Sequence, residues 1–172
     1  MRTRTEQVAA IRADQRLWRE LAAEVGPQRY TAPGPMGQWT FADLAGHLLG
    51  WRNRTIARLE AAATGGPEPV PPWPAGLEDD DSSGTESIND WIRRQDAGRP
   101  PEKLVAAYDA SYDRLIAAIQ AIPEARQTDP DAFPWIDGPL LAADFTRHLH
   151  DEHLTSLRAW LDQSSHSPGD VP

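Results

Sequence analysis

Apolar residues recur every three or four positions along four long stretches of the chain, and these are separated by segments dense in proline and glycine. From about Thr5 to Val25, the residues Val8, Ile11, Trp18, Leu21 and Val25 follow helical spacing, and Gly26-Pro27 ends the run. A second helix is predicted from Thr40. Thr40-x-x-Asp43 has the form of a capping box with Asp in place of the usual Glu, and Asp43 in the first turn suits the helix dipole. Its apolar stripe is Phe41, Leu44, Leu48, Trp51, Thr55, Ile56 and Leu59, and Thr64-Gly65-Gly66-Pro67 stops it. A short helix is expected over Ser87 to Ala97, burying Ile88, Trp91 and Ile92. Pro100-Pro101 then opens a helix from Glu102 to Ile122, with Leu104, Tyr108, Ser111, Leu115, Ile119 and Ile122 turned inward. The last long helix is predicted from Pro139 to about Asp162, with Leu141, Phe145, Leu149, His153, Leu157 and Trp160 on one face.

No sustained alternation of apolar and polar residues appears, so strands are not expected. The pattern predicts an all-α protein, an antiparallel four-helix bundle with a short extra helix and a long Pro-rich loop. One domain is expected over residues 1–163, with a flexible tail over 164–172. In the loop from Pro67 to Gly84, Trp73 between Pro72 and Pro74 predicts an anchor on the body, and Glu78-Asp79-Asp80-Asp81 reads as solvated.

Composition narrows the chemistry. The absence of cysteine excludes disulfides, thiolate metal sites and cysteine nucleophiles, so a metal here would need His, Asp or Glu ligands. A net charge of -9 disfavours nucleic acid as a partner. Arg52, Arg54 and Arg58 form a dense basic cluster inside a helix, which reads by default as a solvated face. There is no apolar run long enough to span a membrane, and Met1-Arg2-Thr3-Arg4 is not followed by the apolar segment of a secretory signal, so a cytoplasmic location is expected.

Four of the 5 histidines fall in two segments, His47 on the second helix and His148-Leu149-His150-Asp151-Glu152-His153 on the last. At about 100° per residue, His153 points to the middle of the core face, His150 lies about 60° from it, Glu152 sits at the other edge, and His148 points away to the surface. His47, Trp51, Arg54 and Arg58 share a face of the second helix. If the two helices face each other, His47, His150 and His153 would supply three ligands to a divalent metal (Ni, Zn or Mn), while the bland alternative makes them satisfied core or groove histidines. Without metal, His47, His153 and Glu152 would serve as general acid and base. Trp51, Trp73, Trp91 and Arg54 are the expected walls of a pocket for a small-molecule ligand.

These residues also carry a resemblance. Gly37-Gln38-Trp39-Thr40, Asp43-Leu44, His47-Leu48 and Trp51 resemble the signature of the DinB/YfiT-like superfamily. The resemblance implies a four-helix bundle that binds a divalent metal through three histidines, two of them four residues apart on the last helix, and includes thiol-dependent transferases and isomerases using mycothiol or bacillithiol. Pro72-Trp73-Pro74, Ser87-Ile88-Asn89-Asp90-Trp91-Ile92 and His150-Asp151-Glu152-His153-Leu154 with Leu157 and Trp160-Leu161 are similar to the ClbS/DfsB branch, which implies protection against a reactive electrophile by opening its cyclopropane ring with water. The chain departs from the superfamily pattern at Leu149, four residues before His153, where a ligand should stand. Three function readings follow: a detoxifying hydrolase or thiol-dependent transferase, a binding protein that sequesters the compound, and a module that pairs as a homodimer through a helix face.

Overall fold

A computed structural model of the chain describes residues 2–77 and 82–165. The first helix, α1 (Arg4–Val25), opens on a capping box. The Thr3 hydroxyl accepts from the Glu6 N–H at 3.2 Å, and the Glu6 carboxylate accepts from the Thr3 N–H at 2.7 Å. The second, α2 (Phe41–Ala63), repeats the device with the pair marked in the sequence: the Asp43 N–H donates to the Thr40 hydroxyl at 3.0 Å and the Thr40 N–H to the Asp43 carboxylate at 2.9 Å. Each box satisfies two N–H groups that a helix start leaves orphaned. There follow α3 (Ser82–Gln95), α4 (Pro101–Ala121, with Pro at its first turn), the single turn α5 (Glu124–Gln127) and α6 (Leu154–Ser165).

The protein is mostly helical, and its core lies where α4 packs along α2 and α1. Trp18 of α1 stacks on Phe41 of α2 at 4.9 Å between ring centres and meets Tyr108 of α4 edge-on at 4.6 Å, so one fully buried indole joins three helices. The predicted inward residues Ile11, Leu44, Leu48, Ile56, Leu59, Leu104, Leu115 and Ile119 are buried around it. Against the outer side of α2 lies α3, drawn close at Gly50: a Cβ there would sit 2.8 Å from the Ile92 side chain. Trp73 is buried against Ile88 and Ile92 and packs on Trp51 at 5.3 Å, which anchors the Pro-rich segment as expected. No helix among the described residues is long and apolar enough to cross a membrane.

Three features depart from the sequence reading. A small antiparallel hairpin, β1 (Pro33–Met36) and β2 (Trp39–Thr40), precedes α2 and packs against α6; its strands are too short to show a period of two. The short helix α3 begins at Ser82 rather than Ser87, and α5 forms in a segment expected to be irregular. The last helix does not start at Pro139. Leu140–Ala142 make a single 3-10 turn, Ala143 is extended, and the Asp144 carboxylate accepts from the Thr146 N–H at 3.0 Å and its hydroxyl at 2.7 Å. This local turn competes with helix formation and delays it. Gln7 of α1 fixes the break by donating to the Leu140 carbonyl at 2.8 Å. The acidic run Glu78 to Asp81 and the end of the tail, 166–172, lie outside the described residues.

Candidate metal centre

The helix that ends the fold starts with a π turn over His148–His153, and this turn decides which histidines meet. In an α-helix, residues five apart point about 140° away from each other. A π turn closes its hydrogen bonds five residues back, so it holds more residues per turn and brings positions five apart toward one face. Here the Leu154 N–H reaches the Leu149 carbonyl, and His148 turns inward beside His153. The Nε2 atoms of His148 and His153 lie 2.9 Å and 3.2 Å from the Nε2 of His47, and all three lie within 4.8 Å of one another. The structure brings His47 and His153 together as the sequence suggests. It puts His148, expected at the surface, where His150 was expected. His150 turns the other way and pairs with the buried Asp14 of α1 at 2.8 Å, while Leu149 is buried in the core.

Burial holds the three rings neutral. It pushes His47 down to about 2, helped by His148 and His153 and opposed only by Asn89. It pushes His148 down to about 3, with His153 and Arg52 adding to the effect, and His153 down to about 4. A neutral imidazole nitrogen carries either one proton or one lone pair. The Nε2 of His47 faces two other Nε2 atoms, and hydrogen bonds alone cannot satisfy both contacts well. A cation would accept all three lone pairs. Two nitrogens that share an ion at 2.0–2.1 Å stand roughly 2.9–3.4 Å apart, and the two separations here fall in that range. The donor set therefore fits a divalent metal.

The cluster opens into a cavity of about 410 Å³ whose walls include Trp51, Arg54, Glu152 and Phe145. Glu152 lies 3.5 Å from the Nε2 of His148 at the cavity rim. Of the expected pocket residues, Trp51 and Arg54 line this cavity. Trp73 and Trp91 do not; they belong to the apolar cluster around Ile88 and Ile92 on the outer side of α2. The hairpin contributes Met36 to the wall and packs Trp39 edge-on against the His47 ring at 5.5 Å.

The arginine face is not the solvated one the sequence suggested. Arg52 and Arg54 are buried, and all three arginines line the cavity. Arg52 donates to Tyr108 at 2.7 Å and lies over the rings of Tyr108 and Tyr112, 3.8 Å from the carboxylate of Asp14. Burial lifts the Asp14 carboxyl above its usual range, against the hydrogen bond from Tyr112 and the charge of Arg52. The partners of Arg52 come from α1 and α4, so nothing near it in the sequence marks it as buried.

The family model for the mycothiol maleylpyruvate isomerase N-terminal domain matches residues 11–155. The chain belongs to this family. The matched span runs from within α1 through the π turn to the first residues of α6 and includes all three clustered histidines. The mycothiol maleylpyruvate isomerase N-terminal domain family lies within the DinB-like superfamily and is associated with metal, which agrees with the donor set. No curated protein and no solved structure matches the chain.

Proposed function

We propose that the protein binds one divalent metal through the Nε2 atoms of His47, His148 and His153 and uses it in thiol-dependent transfer or isomerisation of a small electrophile. The convergence of three neutral imidazole donors on one cavity carries this reading, and the family's tie to mycothiol directs it to a thiol. A divalent ion at that position would favour the thiolate over the thiol. Glu152, at the rim and beside His148, receives the proton of the attacking S–H. The sulfur then bonds to the electrophilic carbon. The proton passes from Glu152 to the atom of the substrate on which the displaced electron pair comes to rest. Trp51, Leu48 and Phe145 supply the apolar wall that seats the substrate carbon and excludes water.

A second reading keeps the site and replaces the thiol by water, as in the electrophile-detoxifying ClbS/DfsB branch. It rests on the exposure of Glu152, which leaves the carboxylate open to a water molecule from solvent. The two readings separate on 1-chloro-2,4-dinitrobenzene with zinc-loaded protein, with and without mycothiol. The proposal expects dinitrophenyl-thiol product to form faster than in metal-stripped protein, and no acceleration without the thiol. Metal-dependent formation of dinitrophenol without thiol would replace it by the water reading. A rate equal to that without protein in every arm would contradict both.

A further inference from the structure

Away from the histidines, the cavity wall on α2 is basic. Arg54 and Arg58 both line it, seven and eleven residues beyond His47, or about 10 and 16 Å along the helix axis. Guanidinium groups whose side chains are only 5% and 20% exposed need an anion against them. The chain supplies one from its own loop. A single oxygen of Glu68, Oε1, accepts from Arg54 at 2.6 Å and from Arg58 at 2.7 Å. Glu68 belongs to the non-helical stretch after α2, its side chain is 42% exposed, and Val70 two residues on is 87% exposed. The arginines thus belong to the helical frame and the cavity wall, while the Glu68 carboxylate that bridges them, and the Pro69 carbonyl that accepts from Arg54, come from the connection after α2. A protein of net charge -9 has placed two cations on the wall of the cavity that holds its candidate metal centre.

We propose that Arg54 and Arg58 form a carboxylate subsite for the substrate, that Glu68 occupies it in the ligand-free protein, and that an acidic substrate displaces Glu68. The exchange replaces one charge-assisted contact with another of the same kind, so its cost is small and the cavity selects for acids. What the structure adds is which residues of this chain would read the carboxylate end of such a substrate, Arg54 and Arg58, and which one stands in its place, Glu68. The position of the reacting carbon rests on the metal-site reading above. The anion binding does not, since it uses neither metal nor thiol.

The test is calorimetric titration of metal-stripped protein with glutarate, and separately with inorganic phosphate at the same ionic strength. Glu68→Gln is expected to bind glutarate about tenfold more tightly than the unaltered chain, because the carboxylate that bridges Arg54 and Arg58 is gone. The double variant Glu68→Gln with Arg58→Gln is expected to lose that gain. Both changes fall on side chains with solvent access, and far-UV circular dichroism checks that the helices persist. Glu68→Asp, too short to reach both guanidiniums, is expected to give a gain of the same sign. Unchanged glutarate affinity in both Glu68 variants, or a gain that survives Arg58→Gln, would overturn the subsite. An equal gain for phosphate would overturn its assignment to a carboxylate. Failure here leaves the thiol assay unaffected, and failure of the thiol assay leaves this titration interpretable.

Discussion

His47, His148 and His153 are neutral in the folded protein down to a pH at which the same residues in an unfolded chain are charged. Their folded pKa values, lowered by burial to about 2, about 3 and about 4, lie below the ordinary 6.5. Between those limits the unfolded state binds protons that the folded state refuses, so stability rises with pH through the window and falls as the pH drops from about 6.5 toward 4. Urea unfolding midpoints of the metal-stripped protein at about pH 7 and about pH 5 check this: the lower pH should give the lower midpoint, and a flat or rising midpoint would contradict the neutral cluster. Of the three residues, His47 and His153 are legible in the sequence because each lies on or beside an apolar stripe. His148 is not, because a count of 100° per residue assumes an α-helix throughout. The available signal was Leu149: an apolar residue at an expected ligand position, with histidines on both sides, marks a helix that has gained one residue in that turn.

At the scale of elements, the π turn is tied to α1. Asp14, buried in α1, holds His150 at 2.8 Å and so keeps this histidine turned away from the three clustered histidines and the cavity. If this grip is lost, the turn can relax to α geometry, which rotates His148 out of line with His153. His150→Ala is therefore expected to lower zinc affinity roughly tenfold or more although it removes no ligand, and His150→Gln, which can still donate to Asp14, should recover much of it. Affinity measured by competition with a chromogenic chelator decides the matter, and unchanged affinity in His150→Ala would show that the turn stands without Asp14. The long helices, the capping box at Thr40 and Asp43 and the anchoring of Trp73 were legible because each rests on local pattern or on a large apolar side chain. The hairpin and the break after Pro139 were not. The first is too short to carry a period, and the second comes from an Asp144–Thr146 turn and from Gln7, a partner far away in the sequence.

In the whole molecule, α2 is the element on which everything converges. One side packs on α4 and, through Phe41, on Trp18; another meets α3 at Gly50; and the cavity side presents His47, Trp51, Arg54 and Arg58 in succession. The packed core thus fixes His47 and the basic wall together, while the π turn brings His148 and His153 to it. The mostly helical fold and the superfamily were within reach of the sequence, whereas the candidate ligand set required the arrangement of α1, α2 and the π turn in space. That set is tested most directly by titrating zinc into untagged, metal-stripped protein by calorimetry, alongside the His148→Ala variant. The account predicts one ion per chain and a loss of at least about tenfold in affinity for the variant. No binding by the unaltered protein, or a His148→Ala variant that binds as tightly as it does, would contradict the three-histidine centre.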